Sequence, residues 1–411
     1  MTRGGTLPAC LMVVAGATAC ARADAQALSW QGYLDLRVGA APAQAGWNEG
    51  GLGKVRFGGG GTTAAVSGAV AGTWQLAPEW QASTTVQLQT DQQRPLDLLD
   101  ASLRYRPVST SRWRWSAKVG AFFPPVSLEN DAVGWTSPWT LAPSAINSWV
   151  GEELRSVGME LRIERRGATA VWSAFGSVFG ANDPAGELLA ARGWALGDLT
   201  SGLRGRVREP DAYAAQARTR VPVRFRPVLE IDHRVGWYAG AAREGASGTR
   251  LVLLRYDNRG DPEASTQVDG RRLFAWRTRF WSLAGQARWR NVDLLAQAMD
   301  GSTAFEPVPG LYLDSRFSAG YLLAAWDTDT AWQPVARIDA FRIRQLPDGR
   351  PTALSEHGHA ATVALNWRPD PRWRLTAEWL RVASVRNQRR LEGLPPRQVD
   401  VQLQVSVRRF F

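Results

Sequence analysis

LSWQGYLDLRV, residues Leu28 to Val38, sorts its side chains by parity. Leu28, Trp30, Gly32, Leu34, Leu36 and Val38 fall on one side of an extended chain; Ser29, Gln31, Tyr33, Asp35 and Arg37 fall on the other. Successive side chains of a strand point to opposite faces, so this stretch makes a ribbon with one apolar and one polar surface. The pattern returns along the chain. Leu99, Ala101, Leu103 and Tyr105 alternate with Asp100, Ser102, Arg104 and Arg106, and Trp113, Trp115, Ala117 and Val119 with Arg112, Arg114, Ser116 and Lys118. Val157 to Glu164, Trp373 to Trp379 and Val399 to Arg408 repeat it.

A soluble sandwich alternates too. Three features favour a membrane barrel. The alternating segments run about 10–14 residues, enough for tilted membrane strands of at least 9–11. Tight turns at Ala77-Pro78-Glu79, Ser109-Thr110-Ser111, Arg166-Gly167 and Pro369-Asp370-Pro371 alternate with longer Gly/Pro/Asp-rich connections. The 20 tryptophans cluster near segment ends, as at Trp30, Trp74, Trp80, Trp113 and Trp373, and indole rings favour membrane–water interfaces, which predicts two aromatic girdles. The expected fold is all-β: a single antiparallel transmembrane β-barrel of about 16 strands (14–18), with no plug domain. Thr330 to Arg344 and Arg271 to Ala284 mix aromatics and arginines on both parities, which predicts bulges or slipped boundaries there.

Residues 1–25 read as an export signal. Arg3 precedes an apolar run from Leu7 to Ala19, and Ala23-Asp24-Ala25 fits a signal-peptidase site. Cys10 and Cys20 both lie within it, so a mature chain of residues 26–411 has no disulfide, zinc-thiolate or catalytic cysteine. After it, no run approaches the 18–20 apolar residues of a transmembrane helix. The chain has 49 basic against 38 acidic residues, and Lys54 and Lys118 are the only lysines. In an exported chain this excess points to a basic lumen that attracts anions rather than to nucleic acid. The final strand, Val405 to Phe411, ends in an aromatic. Barrel closure needs an ordered last strand, and Phe411 is the expected handle for the barrel-assembly machinery.

Two regions do not read as spanning strand. Residues 123–153 could fold into the lumen, where Glu129, Asp131, Glu152 and Glu153 would face Arg112, Arg114, Lys118 and Arg162; a loop packed on its own Trp and Pro residues is the alternative. Residues 181–226 carry Arg204, Arg206, Arg208, Arg218, Arg220, Arg224 and Arg226. They would make an anion funnel, bind lipopolysaccharide phosphates, or form a solvated loop. The candidate pore-lining residues are Arg37, Arg104, Arg106, Arg112, Arg114, Lys118, Arg162, Glu129, Asp131, Glu152, Glu153 and Arg374. Their arginines form an anion ladder or pair with neighbouring acids.

Catalysis finds little support. The histidines are His233, His357 and His359. Asp232 and His233 point to opposite faces of a strand, and His357-x-His359 lacks a third metal ligand. No catalytic residue, metal or cofactor is expected. The expectation is a passive outer-membrane pore for small solutes, preferring anions, with an outer-membrane hydrolase or a non-conducting adhesion or scaffold barrel as alternatives. Its partners would be outer-membrane lipid, lipopolysaccharide and small anionic solutes, with no nucleic acid; a homotrimer is compatible with such a barrel.

WQGYLDLRV (Trp30–Val38), FFPPVSLEN (Phe122–Asn130), WTSPWTLAPSAINSWVGEELR (Trp135–Arg155), HRVGWYAG (His233–Gly240) and the terminal Phe resemble a group of proteobacterial porin-like proteins. The resemblance covers most of the mature chain. It implies an outer-membrane barrel distantly related to phosphate-selective porins, although the lysine-rich character of phosphate channels is missing here.

Overall fold

The computed structural model describes residues 28–216, 221–345 and 354–411; the export signal predicted for residues 1–25 lies outside them. The strands are β1 (Leu28–Ala40), β2 (Thr62–Ala77), β3 (Trp80–Gln89), β4 (Leu96–Tyr105), β5 (Trp113–Phe122), β6 (Ser156–Arg166) and β7 (Ala170–Gly180). Next come a short ribbon, β8 (Val207–Arg208) with β9 (Arg224–Phe225), then β10 (Gly236–Gly245) and β11 (Arg250–Asp257). A second ribbon pairs β12 (Ser265–Val268) with β13 (Arg271–Phe274). The series ends with β14 (Arg277–Trp289), β15 (Val292–Phe305), β16 (Leu313–Trp326), β17 (Trp332–Gln345), β18 (Glu356–Trp367), β19 (Trp373–Arg386) and β20 (Arg397–Phe410).

Apart from the two ribbons, these strands form one closed antiparallel barrel of 16. β20 returns to pair with β1 from Tyr33↔Phe410 to Ala40↔Leu403. Closure leaves no unpaired edge, which is what lets a sheet survive in hydrocarbon. One end carries short connections, such as residues 78–79, 167–169, 290–291 and 368–372. The other carries the long ones, residues 41–61, 123–155 and 181–235.

The parity of the first strand holds around the wall. Leu34, Leu36 and Val38 on β1, Met159, Leu161 and Ile163 on β6, and Val401, Leu403 and Val405 on β20 are all exposed on the outside. Asp35 and Arg37, and Gln402, Gln404 and Ser406, are buried inside. Leu99 breaks the pattern. The ladder slips where Thr85 pairs with Asp100 and Val86 with Leu98, so Leu99 sits in a β-bulge and turns inward, fully buried.

The mixed segments have different causes. Residues 271–274 belong to the second ribbon and β14 starts at Arg277, so that boundary is slipped as expected. β17 has no bulge against either neighbour. Both its faces are apolar because its inner side chains, Val335, Phe341 and Ile343, bury against an inserted loop.

The girdles are unequal. Trp30, Trp74, Trp80, Trp113, Trp172, Trp289, Trp326, Trp332 and Trp373 ring the short-turn end, exposed outward. At the loop end the outer wall has Trp237 and Trp281, so the second predicted girdle is sparse. Trp47, Trp139, Trp149, Trp194 and Trp276 are instead buried among the loops.

Candidate functional site: the barrel lumen

Among the described residues no separate plug domain enters the barrel, but three of its own loops do. Residues 123–155 enter deepest. Pro124 and Pro125 end the strand pattern because proline cannot donate to a ladder. Farther on, α1 (Ala145–Glu153) starts at Ser144, whose side chain accepts the Asn147 amide at 3.3 Å. Every residue of α1 is buried. Trp149 packs its ring against Phe280 and Phe317 of the wall, with centroids 5.7 and 5.4 Å away.

This loop lies along β15–β19. Glu378 accepts the backbone amides of Leu141 and Ala142 at 2.6 and 3.0 Å, and Asp339 that of Ala145 at 3.1 Å. Asn366 donates to the Trp139 carbonyl at 2.8 Å, and Asn147 to Gln297 at 3.1 Å. Arg337, with no solvent exposure, bridges Glu129 (2.8 Å) and Asp339 (2.9 Å) and donates to the carbonyls of Ala142 and Pro143. Such a pair survives burial because every partner is hydrogen-bonded. At the short-turn end Arg374 donates to the Ser137 and Pro138 carbonyls at 3.2 and 2.7 Å.

The loop therefore enters the lumen, but its acids meet partners other than those expected. Glu129 faces Arg337, Asp131 pairs with Arg250 at 2.9 Å, and Glu152 pairs with Arg192. Glu153 accepts the Leu188 and Gly186 amides, at 3.0 and 3.2 Å, and the Trp149 indole. None of the four pairs with Arg112, Arg114, Lys118 or Arg162. The helix turns Glu152 and Glu153 toward a neighbouring loop, while Glu129 and Asp131, which precede it, meet wall arginines on β17 and β11.

The first half of residues 181–235 also enters. α2 (Glu187–Arg192) is entirely buried, and Arg386 of β19 donates to the Ala190 and Ala191 carbonyls at its end. Past it, Thr200 accepts from Gln87 at 2.8 Å and Leu203 donates to the Leu98 carbonyl. The second half stays outside the lumen, with α3 (Asp211–Gln216) and the exposed pairs Arg206–Asp269 and Arg208–Asp211. Of the arginines of the expected funnel, Arg206 and Arg208 are thus ion-paired within the loops, while Arg204, Arg224 and Arg226 have no ion pair among the described residues. Arg218 and Arg220 lie outside the described residues. Residues 41–61 complete the insert: Lys54 pairs with Glu356 at 2.6 Å, and Arg56 with Asp198 at 2.7 Å. Asp198 also holds Arg37 (2.8 Å), which Asp35 contacts at 3.1 Å, so Arg37 is a neutralised wall residue.

Burial sets the charge states of the inserted loops. It pushes the Glu153 carboxyl up to about 8, and Glu187, beside the Trp276 indole, up to about 7. Desolvation likewise pulls Lys54 down to about 7.

The wall opposite the insert is different. Along β3–β6 the inward side chains are buried at the loop end (Gln87, Gln89, Asp97, Phe122) and progressively exposed toward the short-turn end. There Arg104, Arg106 and Arg112 are exposed, and Arg114, Lys118 and Arg162 partly so. Register brings them together: Arg104 lies opposite Lys118, Ser116 opposite Arg162, and Arg114 opposite Glu164. Glu160 lies 3.4 Å from Lys118 and 3.9 Å from Arg162, and also accepts the Tyr238 hydroxyl. Among the described residues, Arg104, Arg106, Arg112 and Arg114 have no ion-pair partner. A small hollow of 150 Å³ opens beside Arg104 and Arg106, lined by Gln75, Glu79 and Gln81. A second of 640 Å³ lies beneath the loop tip, bounded by Arg368, Arg374 and Arg408. The inner wall of β3–β6 is thus solvent-exposed and cationic at the short-turn end and covered at the loop end.

His357 and His359 face outward on β18, and His233 sits in a loop with φ of 61°. The backbone amide of His233 donates to Glu230, which with Asp183 and Asp232 forms a three-carboxylate cluster. Amides of Ala181, Asp232 and Arg234 also donate to it, and it stitches residues 181–183 to 230–234.

No protein-family model matches the chain, and no curated protein matches it in sequence. Its fold resembles solved barrels. The outer membrane channel DcaP of Acinetobacter baumannii superposes with a TM-score of 0.55 at 10% identity, covering 93% of this chain and 97% of that one. An anion-selective porin from Comamonas acidovorans gives 0.52 at 10% identity, covering 94% and 100%. OmpT of Vibrio cholerae, in a trimer form, gives 0.53 at 9% identity, covering 94% and 100%. At these identities the likeness is one of fold, and the fold is that of a bacterial outer-membrane barrel.

Proposed function

We propose that the chain is an outer-membrane porin whose cationic half-lumen passes small anionic solutes, with the short-turn end in the periplasm. One observation carries the reading. Arg104, Arg106, Arg112, Arg114, Lys118 and Arg162 share one wall and face the lumen away from the inserted loops, and these six cations outnumber the acids beside them, Glu79, Asp100, Glu160 and Glu164. Cations lining a narrow, low-dielectric passage concentrate anions and repel cations. The inserted loops confine the path to β3–β6, which restricts it to small solutes. The channel and the anion-selective porin of similar fold agree with this reading.

Uptake into proteoliposomes tests it. A small dicarboxylate such as succinate should enter several-fold faster than a neutral sugar of similar size. Equal rates would remove the charge preference, and no entry of either would remove the pore.

A further inference from the structure

We propose that the outer wall of β14–β18 binds a bis-phosphorylated, multiply acylated glycolipid of the outer leaflet. Arg279, Arg316, Arg342 and Arg344 hold its phosphates, and a groove beneath them holds its acyl chains. The register builds the cationic rim. Arg279 lies opposite Ser302, Ser302 opposite Arg316, and Arg316 opposite Arg344, so three arginines share one row across four strands. Arg342 lies one outward position nearer the membrane centre, beside His357. All four arginines point outward.

Their surroundings leave the charge unspent. The Arg316 side chain is 74% exposed and meets only Asp314, at 3.6 Å. Among the described residues Arg342 and Arg344 have no carboxylate within ion-pair distance. Asp300, in the next row, is the other outward acid on this rim. At the same end of β1, β4 and β6 the outward residues are Val38, Leu96 and Val157. Cations on the lipid face of a barrel are costly unless they sit at the headgroup level against anions. Guanidinium groups match phosphate oxygens in bidentate geometry.

Directly below, the wall turns concave. Ala298, Gly320 and Ala340 form the floor of a hollow of 810 Å³ edged by Trp281 and Leu283. It runs into two more, of 560 and 660 Å³, floored by Gly285 and Ala296 and walled by Leu251, Leu322 and Ile338. A rim of arginine at the loop end, above shallow apolar hollows that share lining residues, matches one amphiphile with anionic head and several chains.

The test uses the full chain, purified in detergent and examined by native mass spectrometry with three lipids: hexa-acyl bis-phosphorylated lipid A, the same lipid without phosphates, and dioleoylphosphatidylcholine. Lipid A should be retained at least tenfold better than either other lipid. Arg342→Ser with Arg344→Ser should erase that advantage, and Ala298→Leu with Gly320→Leu should weaken retention of all acylated probes. Heat-modified gel migration checks that each variant is a folded barrel. Equal retention of the three lipids by the unaltered chain overturns the proposal without recourse to any variant. So does a lipid-free oligomer that the groove substitutions dissociate, which would assign this wall to a second copy of the chain.

Discussion

Replacing Arg337 with Met should release the inserted loop. Arg337 is fully buried on β17 and neutralises Glu129 from the loop and Asp339 from the wall, while also donating to Thr140, Thr362 and two loop carbonyls. Removing one partner of a buried ion pair costs about 3–5 kcal/mol, because the other charge stays desolvated. Here two carboxylates are stranded, but only while the loop is seated; release lets water reach both. The penalty therefore falls on the seated–released equilibrium and shifts it by roughly 150- to 5,000-fold at 1.36 kcal/mol per decade. Single-channel conductance should rise, and proteinase K should cut within residues 123–155. Adding Glu129→Gln and Asp339→Asn removes the stranded charges and should return both readouts toward those of the unaltered protein. Unchanged conductance and an uncut loop in Arg337→Met would refute the idea that this arginine seats the loop.

Arg114→Gln with Arg162→Gln removes two of six cations from the half-lumen and should move the zero-current potential toward zero without lowering thermal stability. Raising the pH from about 5 to 8 should loosen the insert. Glu153 and Glu187 keep protons in the folded state up to about 8 and 7 but lose them near the ordinary carboxylate value when exposed, so folding takes up protons and stability falls across this window. Lys54, held near 7, acts in the opposite sense only above that pH; conductance should therefore climb between pH 5 and 7 and level off toward 8. Deleting Phe411 removes its reciprocal backbone hydrogen bonds with Gly32 and its ring contact with Trp30 at 5.5 Å. The yield of folded barrel should drop severalfold on refolding into lipid vesicles, read by heat-modified gel migration.

Much of the barrel was legible because period two is enforced by water on one face and lipid on the other. β1, β6 and β20 follow it, and β5 does so up to Val119, before the inward Phe122 meets the inserted loop. The reading weakened where the inner face met protein instead of water. On β16 and β17 the inward residues Phe317, Tyr321, Phe341 and Ile343 are apolar because the inserted loops cover them, so parity no longer separated inside from outside. Leu99 was misplaced because a bulge shifts parity by one residue and leaves no mark in the local sequence. Insertion of residues 123–153 was one of two readings the sequence left open, and the inward parity of Arg104 to Arg162 followed from strand alternation. The partners of Glu129, Asp131, Glu152 and Glu153 were not. Their ion pairs join residues up to 208 positions apart, and nothing local encodes which wall a loop leans on. For Arg37 and Arg374 the sequence leaves open an anion ladder or pairing with neighbouring acids: Arg37 pairs with its neighbour Asp35, but its second acid, Asp198, and the loop carbonyls that Arg374 meets are distant in the chain.

A cationic path along β3–β6 sets the sign of the zero-current potential when the purified chain sits in a planar bilayer separating concentrated from dilute potassium chloride. A sign set by chloride, shrinking as the arginines of β4–β6 are neutralised, is the expected result. A sign set by potassium, or a membrane that stays electrically silent after insertion, would contradict it.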